Sequence, residues 1–410
     1  MRILFLVLAS MLWLPQEVLS QSYSGSAYNI YGFGTMTSPS LTAFSGLGNT
    51  SIGVRSPVNV NISNPAATNA IQGYSHQFDI DGYFSVLNQS DKNGTGTAYL
   101  GGLQGMNFWF RTSALNAVTV GVKSFSRTNY SATDENKYSP DIGNYSVLYQ
   151  GTGGVSQFYA GFGHELFKSL HVGVKYNFLF GNLNDTQTVF GNTYLDSTVV
   201  DISEYVRKAY LEFGAQYEWQ PKWLNFGKIV LGATYKPVTN INTRISELIL
   251  YDSDSLLTED EGSMVLPKSF GYGVSFSWKR MMLAADMKLT RWNEVKDVST
   301  IERYVDQQGY SLGFEIMPKY NSQSYFDRVD YRFGLSLSNY YLKIKGTSFM
   351  ESSVNVGLGL PVKYGAGVIN LGYQYHLLGT TKNNLIREVT NTISVGFSIR
   401  ESWFKKPLNY

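Results

Sequence analysis

Two-residue alternation recurs along the chain, and it constrains the fold more than any other feature. INLGYQYHL (369–377) puts Ile369, Leu371, Tyr373, Tyr375 and Leu377 on one face of an extended strand and Asn370, Gly372, Gln374 and His376 on the other. The same pattern returns in HVGVKYNFLF (171–180), YLEFGAQYEW (210–219), SFGYGVSFSW (269–278), VDYRFGLSLS (329–338) and ISVGFSIR (393–400). One face is almost wholly aliphatic or aromatic, and the other carries Gly, Ser, Asn and charge. In a soluble sheet the apolar face would turn to a core, whereas in a membrane barrel it turns to lipid.

The start of the chain bears on that choice. MRILFLVLASMLWLPQEVLSQ has a basic Arg2, an apolar run from Ile3 to Leu14, and small or aliphatic Val18 and Ser20 before Gln21. That is the form of a secretory signal over residues 1–20. No later stretch is long and apolar enough for a membrane helix, which leaves an exported soluble chain or an outer-membrane β-barrel. A soluble sheet would carry more Lys and Glu on its polar face and less Gly and Ser. Only 16% of residues are charged, with 40 Gly and 30 Tyr, a composition rich in strand formers.

Composition also excludes functions. The chain has no cysteine, so disulfides, thiol catalysis and a lipidated cysteine are ruled out. A formal charge of +2 without a basic cluster gives no footing for nucleic acid. His76, His164, His171 and His376 lie in no nucleophile motif; G-x-S-x-G and H-E-x-x-H are both absent, and no enzymatic role, metal or other cofactor is expected.

The pattern predicts an all-β chain forming an antiparallel transmembrane β-barrel of fourteen strands, near 72–90, 97–112, 116–132, 144–164, 168–183, 198–219, 226–244, 264–279, 281–293, 307–318, 327–343, 348–361, 365–377 and 388–401. Short turns (RTSALN, HELFKS, WKR, KYGAG) alternate with long polar connections at 129–146, 181–198, 245–262 and 292–308, as periplasmic turns alternate with outer loops. KIKGTS (343–348) is a short turn where a longer one is due. Lys175, Glu212, Lys279, Asp330, Arg332 and His376 then face the lumen, where charges bind solute or brace barrel and plug. Trp219, Trp278, Trp292 and Trp403 are candidates for interfacial girdles. The 245–262 connection is unusually apolar, with Leu248, Ile249, Leu250, Tyr251, Leu256 and Leu257 offering a site for a hydrophobic ligand, a protein partner or a cap over the barrel.

Residues 21–71 precede the first strand. Their Gly and Pro content disfavours regular structure, and a polar lumen would satisfy such a backbone. GLGNTSIGV (46–54) followed by NPAA (64–67) resembles the N-terminal hatch of the FadL/TodX/OmpP1 family of outer-membrane transporters. LPKSFGYGVSF (266–276) and LTRWNEV (289–295) resemble that family's Leu-Pro, Ser-Phe strand opening and its tryptophan-containing strand end. The tail from SVNVGLGLPVKYGAG to SIRESWF is similar to FadL-like barrels of Bacteroidota. The resemblance implies a plug over 21–71 inside a barrel over 72–410, with Asn64, Pro65 and Ala66 as hatch motif or plug anchor. It further implies an outer-membrane channel for passive uptake of small hydrophobic molecules of the long-chain fatty-acid kind. Such barrels also act as scaffold or shuttle subunits of outer-membrane secretion or assembly complexes, type IX secretion being one. Expected partners are outer-membrane lipid, a hydrophobic small molecule and outer-membrane proteins. Passage through the hatch would favour transport; a plug sealed by lumen ion pairs would favour a scaffold.

Overall fold

The computed structural model describes residues 25–402 apart from 31–32, 39, 72, 74, 93, 141–142, 192–197, 222–226, 252–253, 296–301, 320 and 363–366. The expected signal over 1–20 and Trp403 lie outside the described residues.

Fourteen antiparallel strands close into a barrel: β1 (Ser75–Ser90), β2 (Thr95–Arg111), β3 (Asn116–Arg127, resuming as Tyr130–Ser139), β4 (Gly143–Phe167), β5 (Leu170–Gly191), β6 (Thr198–Trp219), β7 (Gly227–Lys236, resuming as Thr239–Tyr251), β8 (Asp254–Leu266, resuming as Ser269–Trp278), β9 (Met281–Thr290), β10 (Gln307–Ile316), β11 (Asp330–Asn339), β12 (Met350–Pro361), β13 (Gly367–Gly379) and β14 (Arg387–Ser402). Each pairs with the next, and β1 closes on β14 from Ser75↔Ser402 to Ser90↔Arg387. Closure removes every sheet edge inside the bilayer, so no backbone N–H there is left to lipid.

Burial follows the two-residue period. In β13, Tyr373 and Tyr375 are exposed while Asn370 and Gly372 are buried; in β9, Met281 and Leu283 are exposed while Met282, Ala284 and Asp286 are buried. The apolar outward positions, such as Tyr272, Leu312 and Ile399, are over half exposed to the surroundings of the barrel. That is the inversion a lipid-facing wall requires.

The wall has two heights. Strands β4, β5 and β6 run for 25, 22 and 22 residues, whereas β9, β10 and β11 run for 10 each. Crossing the bilayer takes about 9–11 residues, so the longer strands extend roughly 30–40 Å beyond it. This corrects the expectation of irregular loops at 129–146, 181–198 and 245–262: their described parts are largely ladder, with 245–262 a hairpin pairing Leu248↔Leu257 and Ile249↔Leu256. Above the membrane both faces of a strand meet water, the lipid-driven alternation fades, and polar strand reads as loop.

Two prolines mark the step. Pro237-Val238 and Pro267-Lys268 interrupt β7 and β8 at one level, between the pairs Lys236↔Ser269 and Thr239↔Leu266. Proline cannot donate to a ladder, so a paired break bends both strands without a register slip. Beyond the break, β8 pairs with β7 alone among the described residues. The 292–308 connection behaves differently. Its Glu302–Tyr304 strand pairs with Leu342–Ile344 as a separate two-stranded lid, and this strand accounts for part of the KIKGTS turn. Trp219 and Trp278 are exposed on the wall, whereas Trp292 is 3% exposed and belongs to the interior of the mouth, not to a girdle.

At the short-turn end, the 317–329 connection is held by Arg280, whose guanidinium donates to the carbonyls of Met317 and Asp327 at 3.0 and 2.8 Å. The Asp327 carboxyl is held below the usual carboxylate range by the Ser322 hydroxyl and then by Arg280.

Candidate functional site: a plugged lumen between two seals

The N-terminal segment sits inside the barrel, packed against inward positions of the wall. Asn64 caps the 3-10 turn Pro65–Ala70, its Oδ1 accepting from the Ala66 N–H at 3.0 Å. Its amide donates across to Ile52 O at 2.8 Å and to Ala215 O of β6 at 3.4 Å. Proline at the first turn position presets φ and removes a donor that would otherwise go unsatisfied. Asn64, Pro65 and Ala66 are thus brought together, all buried, against β5 and β6. Gly173 and Gly214 face them: a β-carbon at 173 would land on the Pro65 carbonyl, and one at 214 on Asn64 Oδ1. Farther around the wall, Gly232 and Gly334 accept the Ile52 carbonyl and the Leu47–Gly48 peptide in the same way.

Polar groups from much of the circumference reach the plug backbone. Asp286 of β9 accepts from Ser51 N and Ile52 N at 2.6 and 2.8 Å, and Asp81 of β1 accepts from Thr42 N at 2.9 Å. Trp109 of β2 donates its indole N–H to Thr68 O at 2.6 Å, Ser275 of β8 its hydroxyl to Gly53 O at 2.7 Å, and Arg400 of β14 to Val58 O at 2.7 Å. Arg55 reverses the direction: from the plug it donates to Ala66 O, Gln216 Oε1 and Asn69 Oδ1 and lies 3.7 Å from Glu218. These contacts satisfy an irregular backbone that neither lipid nor a dry core would tolerate.

The other predicted lumen residues divide. Lys175 is buried, 2.5 Å from Glu212 and 2.8 Å from Ile62 O of the plug. Arg332 is fully enclosed, 2.5 Å from Asp330 and 3.4 Å from Glu315, and donates to Asn370 at 2.9 Å. His376 faces the lumen 3.8 Å from Glu351. Lys279 is not in the lumen: it is an exposed turn residue with φ +54°, its ammonium 4.4 Å from the Trp278 ring. The two-residue phase that carries Ser275 and Ser277 inward ends with the strand, and the turn rotates residue 279 out.

The opposite end is closed by apolar packing. Trp292 stacks on Tyr341 (4.5 Å between centroids, 25°) and Tyr304 (5.6 Å, 13°), while Phe349 lies 5.0 Å from both Tyr28 and Tyr340. Leu342, Ile344, Leu378 and Leu385 complete the roof. Glu388 pins the plug's N-terminal end by accepting from Ser26 Oγ and Ala27 N. Sequence reading missed this roof because its members are scattered over three connections with no shared period.

The apolar hairpin residues split by face. Leu248, Leu250 and Leu257 continue the outward face of the wall, and Ile249, Tyr251 and Leu256 the inward one. Leu248 and Leu257 border a shallow cleft of about 380 Å³ whose other walls include Asn184, Thr186, Asp201 and Ser203. Among the described residues no group of His, Asp and Glu has the disposition of a metal site.

Solved structures share this architecture. The most similar include a Pseudomonas aeruginosa FadL homologue (TM-score 0.62, 12% identity, 91% of this chain and 100% of that one). The Pseudomonas putida toluene transporter TodX follows (0.60, 14%, 90% and 99%), as does the Ralstonia pickettii toluene transporter TbuX (0.58, 13%, 88% and 98%). At such identity the likeness is one of fold, the fourteen-stranded FadL-type barrel with an N-terminal plug. No curated protein matches the chain. The BamG family model matches residues 2–408, nearly end to end, and the chain belongs to the BamG family.

Proposed function

We propose that this protein is an outer-membrane subunit of an assembly or secretion complex, a plugged barrel that holds its tall wall outside the bilayer for a protein partner. The observation that carries this reading is the fit of plug to wall. Plug backbone lies directly against Gly173, Gly232 and Gly334, and the Asn64 and Pro65 side chains fill the space at Gly214. A plug that must shift to let solute pass would have to break many of the buried hydrogen bonds above, each worth about 0.5–1.5 kcal/mol net and more where a charge is involved. The extended β4–β8 wall supplies surface that a diffusion channel does not need. The cleft beside Leu248 and Leu257 sets apolar side chains next to polar ones on that wall, with Leu256 and Leu257 about 60% exposed.

A second reading, passive passage of small hydrophobic molecules, is favoured by the aromatic roof and by the fold shared with toluene transporters. The two separate cleanly. The chain lacks cysteine, and Thr50 Oγ1 of the plug donates to Ser311 Oγ of β10 at 2.9 Å, so a Thr50→Cys/Ser311→Cys pair can lock the plug. The locked barrel, gently extracted from membranes and sized, should still co-purify with stoichiometric protein partners. Leu256→Asp with Leu257→Asp should release those partners without unfolding the barrel. A monomer-sized particle carrying apolar ligand, with uptake abolished by the lock, would establish the channel instead.

A further inference from the structure

Outside the bilayer the wall is an open sheet. The upper parts of β3 to β8 pair in order, and the outermost two, Tyr130–Ser139 of β3 and Asp254–Leu266 of β8, each pair on one side alone among the described residues. A bare edge presents a row of backbone donors and acceptors on which another chain can add as a strand. The two edges are not alike. Tyr130–Ser139 is broken by a register shift between Asp134 and Lys137, and Lys137 lies 3.0 Å from Asp134; a bulge and a lysine are common ways to blunt an edge. Asp254–Leu266 has neither. Its 13 residues pair with β7 in unbroken register from Thr239↔Leu266 to Tyr251↔Asp254, and they include no lysine, arginine or proline.

The pair Tyr251↔Asp254 closes this hairpin with two residues between, which makes it a hydrogen-bonded pair, and the antiparallel ladder alternates from there. Even-numbered residues therefore bond β7, while Ser255, Leu257, Glu259, Glu261 and Ser263 turn their N–H and C=O to the open side. The Glu261 N–H accordingly donates to the Asp260 carboxylate at 2.7 Å, a side chain taking the place of an absent strand. Every residue from 254 to 261 is exposed. Asp254, Glu259, Asp260 and Glu261 make the edge acidic, and none of them has an ion pair with the described residues. Arg244, opposite Glu261 in the ladder, instead sets its guanidinium 5.3 Å from the centre of the Tyr205 ring.

We propose that the Asp254–Leu266 edge is a docking site for an extended, basic segment of a partner protein, which adds as a strand beside β8. The inference rests on the assembly-subunit reading above and gives that subunit's partner a surface and a chemistry. Backbone bonds to the odd-numbered residues supply hold and register, and side chains supply selection. On the outward face the added strand stands opposite Leu257, Glu259 and Glu261, so an apolar residue followed at alternate positions by two Lys or Arg matches the edge. A second copy of this chain does not match: centred on the same edge, it would set Glu259 and Glu261 against their own counterparts, and like charges directly opposite are destabilising.

The test uses the full chain in its native outer membrane, with the photoreactive residue p-benzoylphenylalanine placed at Ser255 or Ser263, and at the exposed Tyr138 of the other edge as control. Crosslinked peptides are identified by mass spectrometry. Positions 255 and 263 should both reach one segment of one other protein, with Lys or Arg at alternate positions, and position 138 should not reach it. Glu259→Pro removes an open-side N–H and leaves the β7 ladder intact, so it should lower the yield at least ~10-fold while the barrel stays heat-modifiable. Glu259→Lys/Glu261→Lys should do the same, and it serves as the reading if the proline variant does not assemble. Crosslinks only to residues 296–301 of this chain, to a second copy or to a segment without basic residues overturn the proposal, as does a yield unmoved by every variant that assembles. Partners that co-purify with the barrel but crosslink elsewhere overturn the edge and leave the assembly reading standing. Absence of both partners and crosslinks overturns the two together.

Discussion

Gly214 of the wall and Asn64 of the plug occupy complementary volumes: the space a β-carbon on residue 214 would need is filled by Asn64 Oδ1, with Pro65 Cδ and Cγ close behind. That oxygen also caps the Pro65–Ala70 turn, so displacing it costs a hydrogen bond as well as a contact. Gly214→Val should therefore loosen the plug, at about 1–3 kcal/mol for overpacking and about 1 kcal/mol for the lost cap. Limited proteolysis should reveal new cleavage within residues 40–71 while the barrel stays heat-modifiable. Gly96→Ala, where nothing lies nearer than 4.0 Å, is the matched control.

Leu371 and Gln374 test which face of β13 meets lipid. Leu371 pairs with Leu358 and Val395 on the outward phase, and Gln374 pairs with Asn355 and Thr392 on the inward one. A lysine on the lipid face costs about 2–4 kcal/mol near the midplane, whereas one in a wet lumen costs little. Leu371→Lys should reduce insertion into vesicles, scored by the fraction migrating as folded barrel, and Gln374→Lys should not.

The Arg332 cluster answers to charge balance. Its guanidinium is 1% exposed between Asp330 and Glu315, so Arg332→Met would leave two carboxylates enclosed without a cation. Removing one partner of a buried set typically costs about 3–5 kcal/mol, while neutralising all members together is far milder. Urea unfolding from vesicles should show that loss for Arg332→Met, with most of it recovered when Asp330→Asn and Glu315→Gln are added. Equal midpoints for the single and triple variants would place the stabilisation elsewhere.

Fourteen strands and the inward phase of Lys175, Glu212, Asp330, Arg332 and His376 were legible because lipid imposes one periodicity on every strand that crosses it. Where lipid stops, legibility stops. The upper parts of β3, β5, β7 and β8 read as loops since polar residues on both faces look the same in a strand and in a coil. Lys279 was misplaced because phase says nothing about where a strand ends, and Trp292 because tryptophan serves an interface and an aromatic roof equally well. The plug's fit was invisible for another reason. Gly173, Gly214, Gly232 and Gly334 are ordinary small lumen residues until the part of the plug opposite each is known. Asn64 and Pro65 could be singled out by family resemblance, but the wall residues opposite them, Gly173, Gly214 and Ala215, lie more than a hundred residues away.

Trp292 and Tyr341 decide how firmly the mouth is shut. Their rings stack at 4.5 Å, and Tyr304 stacks against both, 5.6 Å from Trp292 and 6.2 Å from Tyr341, so Trp292 ties the Glu302–Tyr304 strand to the Leu342–Ile344 strand opposite it. The lid has only three paired residues on each side, too few to persist without that packing. Truncating a buried tryptophan removes about 3–5 kcal/mol of packing, and here the loss falls on a local element, not on the barrel. Trp292→Ala should leave unfolding of the wall nearly unchanged while amide exchange at 302–304 and 342–344 rises sharply. Trp292→Phe, which keeps a ring in the stack, should restore most of the protection. Exchange that stays slow in the alanine variant would mean that the Tyr28, Tyr340 and Phe349 contacts hold the mouth closed by themselves.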